Sequence, residues 1–366
     1  MFDGEEKLLE SAGEILLYGQ EDYAARVRKY LELLYPDISI REIVFALEKD
    51  QPDGTEFDFD SRAAELDSID RKVTVFAAFS LKYIDTVKDM LREKGFKDII
   101  CYSPRIDNWL KTRYFRCYYR GKGQEFLVLS DMEDEHEAKD CSVKVYMAEG
   151  VFDKPLREKP KLSDHIVQIQ VGAALTDKRI ADVADDMGEN ISSKNRCYAE
   201  MTALYWIWRH ADADYVGLCH YRRLFEDLDG IADKLQRVDV DALMPLPTLS
   251  AHTVYEDYLL KHIPDAWRPL MDVVKEQSPD YYAAAERIFH EPVFYASNMF
   301  ILRRDVMDDL CSWMFPILQE TEQRVGDLDG YYRRYIGFGA ERLVTLYFLY
   351  NKRDWRIAHV NKIFLG

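Results

Sequence analysis

The chain reads Asn190-Ile-Ser-Ser-Lys-Asn195, then a helix to His210, then Asp214-Tyr-Val-Gly-Leu-Cys-His-Tyr-Arg-Arg223. The first run is polar, whereas the second is a short apolar strand that ends in charged residues. A single apolar stripe along the helix indicates that it is largely buried. Its members, spaced 3, 4 and 3 residues apart, are Tyr198, Met201, Tyr205 and Trp208. This order of loop, helix and buried strand predicts an open α/β sheet.

Polar side chains stand at both ends of this helix–strand unit. Ligands of open α/β sheets bind beyond the carboxyl ends of the strands, and a helix N-terminus favours anions because its first amides lack partners. We therefore expect two clusters to converge on one anionic ligand, for which a nucleotide diphosphate fits best. They are Asn190, Lys194 and Asn195 at the helix start, and His220, Tyr221, Arg222 and Arg223 at the strand end.

The overall charge restricts the class of ligand. The chain has 366 residues, of which 48% are hydrophobic, and a formal net charge of −17. This length suggests two domains, and such a negative charge argues against binding to nucleic acid. A local basic cluster must therefore meet any anionic ligand, which draws attention to Arg222 and Arg223.

The six cysteines are scattered and form no Cys-x-x-Cys pair. This pattern is typical of reduced core thiols in a cytosolic protein. The sequence shows neither a signal peptide nor a long apolar span. We expect a cytoplasmic protein with at most peripheral contact with the inner face of the membrane.

Residues 1–104 alternate strands and helices at a spacing that predicts a small parallel, Rossmann-like domain. Its strands are expected at 14–18, 40–47, 72–78 and 98–102. The first turn keeps Gly19, but the later positions of a dinucleotide-binding turn are Glu21 and Ala24. Glu21 and Asp22 would repel a pyrophosphate. The alternatives are a nucleotide site and a structural module, and we favour the structural module.

Residues 105–140 are expected to form a linker. It begins with an aromatic and basic segment, residues 109–120, and ends in an acidic run, residues 131–137. The basic part suits contact with a lipid headgroup or an acidic neighbour, whereas the acidic run is typical of a solvated segment.

Residues 141–366 are expected to form the larger, mixed α/β domain. Residues 293–302 are predicted as one strand with Asn298 inside it, and residues 337–342 as a glycine-marked turn before a helix. Glu200 lies on the mostly apolar helix and needs a partner, for which Arg222, Arg223 or Lys194 are the candidates. Asp239 and Asp241 suggest a metal site, but strand alternation explains them equally.

The quoted motifs resemble a bacterial family from capsule and exopolysaccharide gene clusters, long catalogued as a domain of unknown function and treated as glycosyltransferases. The resemblance covers roughly residues 142–360 and includes Asn298-Met-Phe300 and Gly339-Ala-Glu-Arg342. Members often carry a His-Lys pair after the first strand, where this chain has Ala148-Glu-Gly150. The N-terminal domain is similar to degenerate nucleotide-binding-like modules fused to some sugar-processing enzymes.

This resemblance implies a GT-A-like core and transfer of a sugar from a nucleotide-diphosphate donor, with UDP the most frequent carrier. The acceptor would be a lipid-linked or oligosaccharide glycan of a capsule, exopolysaccharide or O-antigen. GT-A enzymes usually end the equivalent strand in Asp-x-Asp, which holds a metal ion, whereas this chain has His220 to Arg223. We therefore expect no metal cofactor, with Mn²⁺ or Mg²⁺ as the alternative.

Inverting glycosyl transfer also needs a base for the acceptor hydroxyl. Glu341, expected at a helix start, resembles the element that supplies this base in GT-A enzymes, while Arg342 could instead pair with it. Asp186 and Glu200 are the other candidates, and Asn298 is expected to contact the donor. Two other interpretations stay open, namely a non-catalytic glycan- or nucleotide-binding scaffold and a sugar-nucleotide modifying enzyme that acts through its N-terminal domain.

Overall fold

The computed structural model describes residues 3–45, 62–156 and 160–365. These residues form two compact units, Met1–Phe126 and Leu127–Gly366. Each unit has its own sheet, so each is described by itself. No helix in the described ranges has the length and hydrophobicity to cross a membrane.

The first unit is built on a four-stranded parallel sheet in the order β2-β1-β3-β4. Its elements in chain order are α1 (Asp3–Ser11), β1 (Glu14–Gln20), α2 (Glu21–Leu34), β2 (Ser39–Phe45), α3 (Ala63–Leu66), β3 (Thr74–Ala78), α4 (Ile84–Glu93), β4 (Ile99–Cys101) and α5 (Pro104–Gly121). The predicted parallel pairing is therefore observed, although the last two residues of the predicted strand 40–47 lie outside the described residues.

Close strand packing explains why Gly19 is a glycine. A Cβ at this position would lie 2.5 Å from the carbonyl oxygen of Ala78 on the neighbouring strand. The next residue, Gln20, accepts a hydrogen bond of 3.0 Å from the Ser80 amide through its side chain. Glu21 and Asp22 then occupy the first turn of α2. Gly19 therefore has a structural reason that is independent of any phosphate, although the structural role of this unit stays a prediction.

The first half of the predicted linker forms helix α5. Ser103 caps α5 by accepting a hydrogen bond from the Ile106 amide, and Pro104 occupies its first turn. Tyr114 and Phe115 of this helix are buried in the first unit. Much of the aromatic segment that suggested membrane contact is therefore used in packing.

The second unit contains the remaining elements. They are β5 (Leu127–Val128), β6 (Val143–Gly150), β7 (Ile166–Val171), β8 (Val183–Ala184), α6 (Asn195–Tyr198), α7 (Met201–His210), β9 (Tyr215–His220), β10 (Arg223–Phe225), α8 (Leu228–Leu235), β11 (Ala242–Pro245), β12 (Thr248–Leu249), α9 (Val254–Lys261), α10 (Pro264–Gln277), α11 (Pro279–Ile288), β13 (Val293–Phe294), β14 (Phe300–Arg303), α12 (Arg304–Val325), α13 (Tyr335–Tyr350), β15 (Ile357–Val360) and β16 (Lys362–Phe364).

The central sheet of this unit is mixed and has the order β5-β15-β11-β14-β9-β6-β7-β8. Strands β9, β6, β7 and β8 run parallel, whereas β14 is antiparallel to both of its neighbours. The carboxyl ends of β6, β7 and β9 therefore meet at one edge of the sheet. One face of the sheet packs against α7 and α10 to α13 in a large apolar core, which fixes this edge in place.

The predicted single helix from 196 to 210 is wrong, because Ala199 interrupts it. Ala199 has a φ of 49° and separates α6 from α7. The Asn195 amide stabilises the break by donating 2.8 Å to the Ala199 carbonyl. Gly337 makes room for it, since a Cβ there would lie 3.3 Å from the Ala199 Cβ. The break places Glu200 at the N-cap of α7.

The predicted strand 293–302 is also interrupted. Its two ends form β13 and β14, but Ser297 and Asn298 between them have φ values of 82° and 45°. Such left-handed backbone is uncommon outside glycine and often marks functional sites. The interruption turns the Ser297 carbonyl and the Asn298 side chain toward His220 and Glu200, respectively.

The predicted glycine-marked turn 337–342 is helical and belongs to α13. Both of its glycines are contact positions, because a Cβ at Gly339 would lie 3.2 Å from the Leu270 Cδ2 and Gly337 faces Ala199. Glu341 therefore lies in the second turn of a helix and not at a helix start.

Candidate active site

A cavity of about 510 Å³ opens at the carboxyl ends of β6, β7 and β9. This is the edge where an open α/β sheet binds its ligands. The residues that line the cavity are Ala148, Gly150, Val151, Phe152, Asp153, Val171, Gly172, Leu175, Thr176, Asn195, Arg196, Ala199, Glu200, His220, Tyr221, Arg222, Arg223 and Arg334. Five of the predicted donor-binding residues, and one predicted catalytic residue, thus meet in one place.

The lining is rich in arginine. Among the described residues, four arginines face the cavity, and Asp153 and Glu200 are the carboxylates that line it. Asp153 is engaged in the turn after β6, where it accepts a hydrogen bond of 2.7 Å from the Gly150 amide. In a chain of net charge −17, this edge is a local basic site, and an anionic group is the ligand that it favours.

Arg222 and Arg223 leave their charge available to a ligand. Arg222 donates 3.1 Å to the Lys154 carbonyl, and its guanidinium lies 5.3 Å from the centre of the Tyr221 ring. Its buried Nε has no hydrogen-bond partner in the described structure. Arg223 lies 5.3 Å from the centre of the Phe364 ring. Within the described part of the chain, neither arginine forms an ion pair with a carboxylate, so both guanidinium groups can serve a bound anion.

Glu200 is held at the cavity wall by an amide and a distant cation. The Asn298 Nδ2 donates 2.8 Å to its Oε1, and Arg334 lies 3.9 Å from its Oε2. Its side chain is 16% exposed, which leaves it accessible from the cavity. The expected partners Arg222, Arg223 and Lys194 do not pair with Glu200 in the described structure.

Asn298 lies behind Glu200 and not in the cavity lining. It is buried, and its Nδ2 also donates to the Gly337 carbonyl at 3.3 Å. Its Oδ1 is buried without a partner among the described residues. The structure therefore assigns its amide to Glu200, whereas the donor contact that we expect stays a prediction.

His220 ends β9 and faces the same cavity. Its Nε2 forms a hydrogen bond of 2.5 Å with the Ser297 carbonyl. Burial lowers the pKa of His220, although the charge of Glu200 and the Ser297 carbonyl oppose this shift. Burial therefore favours the neutral form of the imidazole.

The helix-start residues have different positions. Asn195 lines the cavity, and a Cβ at Gly172 would lie only 2.7 Å from its side-chain oxygen. Lys194 instead pairs with Glu322 at 2.6 Å. Asn190 folds its own turn, with its Nδ2 donating 2.8 Å to the Gly188 carbonyl. Neither Asn190 nor Lys194 lines the cavity.

The two other proposed bases are engaged elsewhere. Asp186 pairs with Arg179 at 2.6 Å. Glu341 accepts a hydrogen bond of 2.5 Å from the Ser297 amide and forms an ion pair with Arg342. Arg342 is 1% exposed and also contacts Asp257 at 3.1 Å. The structural alternative for Glu341, a pair with its neighbour Arg342, is thus observed, and Glu341 does not line the cavity.

The donor set at the strand end does not fit a divalent cation, because arginines stand where carboxylates would be needed. The described residues contain no group of three or more metal-binding side chains. Asp239 faces His136 and Lys139, whereas Asp241 pairs with Arg303. Asp185 is buried and accepts hydrogen bonds from the amides of residues 172 and 173.

The sequence alone missed several lining residues. Arg196 follows the polar run directly, so it could have been included from position. Arg334 and Phe152 come from distant segments, and Phe152 is 86% exposed at the cavity. Neither Phe152, exposed in a turn, nor Arg334, which follows two tyrosines, belongs to a periodic sequence pattern that would indicate a ligand site.

The second unit resembles known proteins in sequence and in fold. A family model described as a domain of unknown function (DUF4422) matches residues 157–352, which lie within the second unit. A solved structure titled WbbM bifunctional glycosyltransferase, in its apo form, matches with a TM-score of 0.54 and 26% identity over 62% of this chain. The match covers 45% of that structure, so the chain spans less than half of its length. No curated protein matches the chain.

These matches confirm the α/β class, and the structural neighbour is consistent with the GT-A-like architecture expected from the sequence. The family match also includes the cavity residues from Val171 to Arg334.

Proposed function

The chain belongs to the family described as a domain of unknown function (DUF4422), and from this membership and its cavity we propose that it is a glycosyltransferase. The donor would be a sugar carried on a nucleotide diphosphate. The name of the structural neighbour, a bifunctional glycosyltransferase, supports the same reaction class.

One observation carries the proposal, namely the arginine-rich cavity at the carboxyl ends of three parallel strands. A diphosphate brings negative charge that must be neutralised, both when the donor binds and when it leaves as a nucleoside diphosphate. Arg222 and Arg223 have no carboxylate partner in the described structure, and a planar guanidinium binds phosphate oxygens bidentately. They therefore take the role that a metal ion has in Asp-x-Asp enzymes, and we propose transfer without a metal.

The three candidate carboxylates, Glu200, Glu341 and Asp186, have different roles in this proposal. Of the three proposed bases, Glu200 alone lines the cavity, so it is the carboxylate that we place at the reacting groups. Glu341 and Asp186 are held in ion pairs. Phe152, exposed in the turn after β6, provides an apolar surface for a nucleobase or a sugar ring.

The finer identity of the substrates follows the family resemblance. We propose a UDP-sugar as donor, because UDP is the most frequent carrier, and a lipid-linked or oligosaccharide glycan of a capsule, exopolysaccharide or O-antigen as acceptor. An acceptor on a lipid would bring the protein to the inner face of the membrane.

A screen of the full chain tests this proposal. UDP, GDP, CMP and dTDP and their sugars are compared by thermal shift, and each sugar nucleotide that binds is assayed for slow hydrolysis and for transfer. We expect one nucleotide to bind and its sugar to be released, with and without excess EDTA. Binding without any turnover would favour a non-catalytic scaffold, and activity that disappears with EDTA and returns with Mn²⁺ would contradict the arginine assignment.

A further inference from the structure

The hydrogen bond between His220 and Ser297 fixes more than the position of the imidazole ring. A backbone carbonyl only accepts hydrogen bonds, so the His220 Nε2 must carry the proton in this contact. In the neutral ring the other nitrogen, Nδ1, then has a free lone pair. His220 lines the cavity, and no partner for Nδ1 is found among the described residues.

The carbonyl that selects this tautomer is itself held in place. Ser297 has a φ of 82°, a left-handed conformation that turns its carbonyl toward His220. The Ser297 amide donates to Glu341, and Glu341 is paired with the buried Arg342. Arg342 in turn contacts the buried Asp257 at 3.1 Å. This chain of contacts gives Glu341 a positioning role behind the cavity.

The charges around His220 agree with a neutral ring that can gain a proton. Burial lowers its pKa most, and Arg223 and Lys362 lower it further. Glu200 raises it, as does the Ser297 carbonyl. The negative charge of Glu200 therefore favours the protonated ring and would stabilise an imidazolium at position 220.

On the premise of the proposed function, we infer that His220 is the general base of sugar transfer and that Glu200 stabilises its protonated form. The His220 Nδ1 takes the proton of the acceptor hydroxyl. The oxygen forms a bond to the anomeric carbon of the donor as the bond from that carbon to the diphosphate breaks. The electron pair of the broken bond leaves with the nucleoside diphosphate, next to Arg222 and Arg223.

Two substitutions at His220 distinguish the contact that Nε2 makes with Ser297 from the base function of Nδ1. Glutamine at position 220 places an amide near the Nε2 position, which preserves the bond to Ser297 but provides no base. Asparagine cannot reach Ser297. We expect His220→Gln and His220→Asn each to reduce transfer by about 100-fold or more, within the usual range for loss of a general base. In His220→Gln, affinity for the free nucleoside diphosphate should change by less than about 3-fold. This change is smaller than the loss of one charge-assisted hydrogen bond would cause.

Two further readouts distinguish a base from a structural residue. The ¹⁵N spectrum of the wild-type imidazole, assigned by its loss in His220→Gln, should show a proton on Nε2 and none on Nδ1 at pH 7. The acidic limb of the rate profile should lie below about pH 6.5, the ordinary value for histidine, and should be absent in His220→Gln. His290→Gln, on an exposed histidine, is the matched control and should keep wild-type transfer.

If the wild type is active, either of two results would overturn the inference and leave the proposed function standing. One is a transfer rate of His220→Gln within 10-fold of the wild-type rate, and the other is a proton on Nδ1. Wild-type protein that neither binds nucleotides nor transfers sugar would instead overturn the proposed function itself.

Discussion

The buried amide of Asn298 donates a hydrogen bond of 2.8 Å to the carboxylate of Glu200. The two residues are almost one hundred positions apart, and each follows a break in regular structure, at Ala199 and at Ser297. The breaks in the helix and in the strand thus position Glu200 and Asn298 next to each other.

Asn298→Asp should make stability fall as pH rises. The new carboxylate would face Glu200, so the folded state would hold a proton that the unfolded state releases above about pH 4. The free energy of unfolding should therefore decrease between pH 5 and pH 8 relative to wild type. Urea denaturation at several pH values measures this effect.

Asn298→Gly is the matched control, because glycine keeps the φ of 45° without strain and adds no charge. Its stability should follow the pH dependence of the wild type. Equal pH dependence in the two variants would contradict the contact with Glu200.

Gly337 and Gly339 should respond differently to alanine. Alanine favours a helix interior by about 1 kcal/mol over glycine. At Gly339 the nearest atom is a methyl group of Leu270 that can move, whereas Gly337 faces the Cβ of Ala199 and the backbone of Tyr198. We expect Gly339→Ala to be neutral or stabilising and Gly337→Ala to be destabilising and to weaken nucleotide binding, as measured by thermal denaturation and calorimetry. A stable Gly337→Ala with wild-type affinity would contradict this packing.

His359 should make the second unit sensitive to acid. Burial lowers the pKa of His359 to about 4, against about 6.5 in an unfolded chain. The contribution of His359 to the free energy of unfolding is therefore about 3 kcal/mol. It is fully present above about pH 6.5, falls as the pH drops, and is lost below about pH 4.

His359→Asn cannot gain this proton, so its free energy of unfolding should depend less steeply on pH between 4.5 and 6.5. His290→Asn, at an exposed position, should keep the wild-type slope. An unchanged slope in His359→Asn would show that this histidine is not buried in its neutral form.

The first unit should bind no dinucleotide. Glu21 and Asp22 occupy the first turn of α2, where a pyrophosphate would be held, and the Gln20 side chain bonds the Ser80 amide. Titration of the full chain with NAD should give no saturable heat. Micromolar binding that persists in a protein with both Arg222 and Arg223 replaced by alanine would place a nucleotide site in this unit.

Much of the architecture follows from local sequence. Alternating strands and helices predicted the parallel sheet of the first unit, and the apolar run ending in His220 predicted β9 and the edge where the cavity lies. Such features depend on periodic burial, which a single sequence displays directly.

The breaks could not be predicted in this way. Alanine is the best helix former, yet Ala199 ends a helix because its neighbours Asn195 and Gly337 favour the break. Glu341 looked like a base because a glycine pair suggested a turn, whereas both glycines serve close packing inside α13. Arg334 reaches the cavity only through tertiary folding, since no local pattern connects it with Glu200.

In the proposed reaction, arginine binds the diphosphate of the donor. Each charge-assisted hydrogen bond contributes roughly 1.5–3 kcal/mol, so the loss of one arginine should weaken binding by about 10- to 150-fold. Arg268, which is 90% exposed on α10, offers a matched control at which alanine should change nothing.

Isothermal titration calorimetry measures this binding. The nucleoside diphosphate selected in the screen, and then its free nucleoside, are titrated into wild type, Arg222→Ala, Arg223→Ala and Arg268→Ala. We expect Arg222→Ala and Arg223→Ala each to lose affinity for the diphosphate and to keep that for the nucleoside, with or without EDTA. Diphosphate affinity that is unchanged in both variants, or that requires a divalent metal, would contradict this expectation.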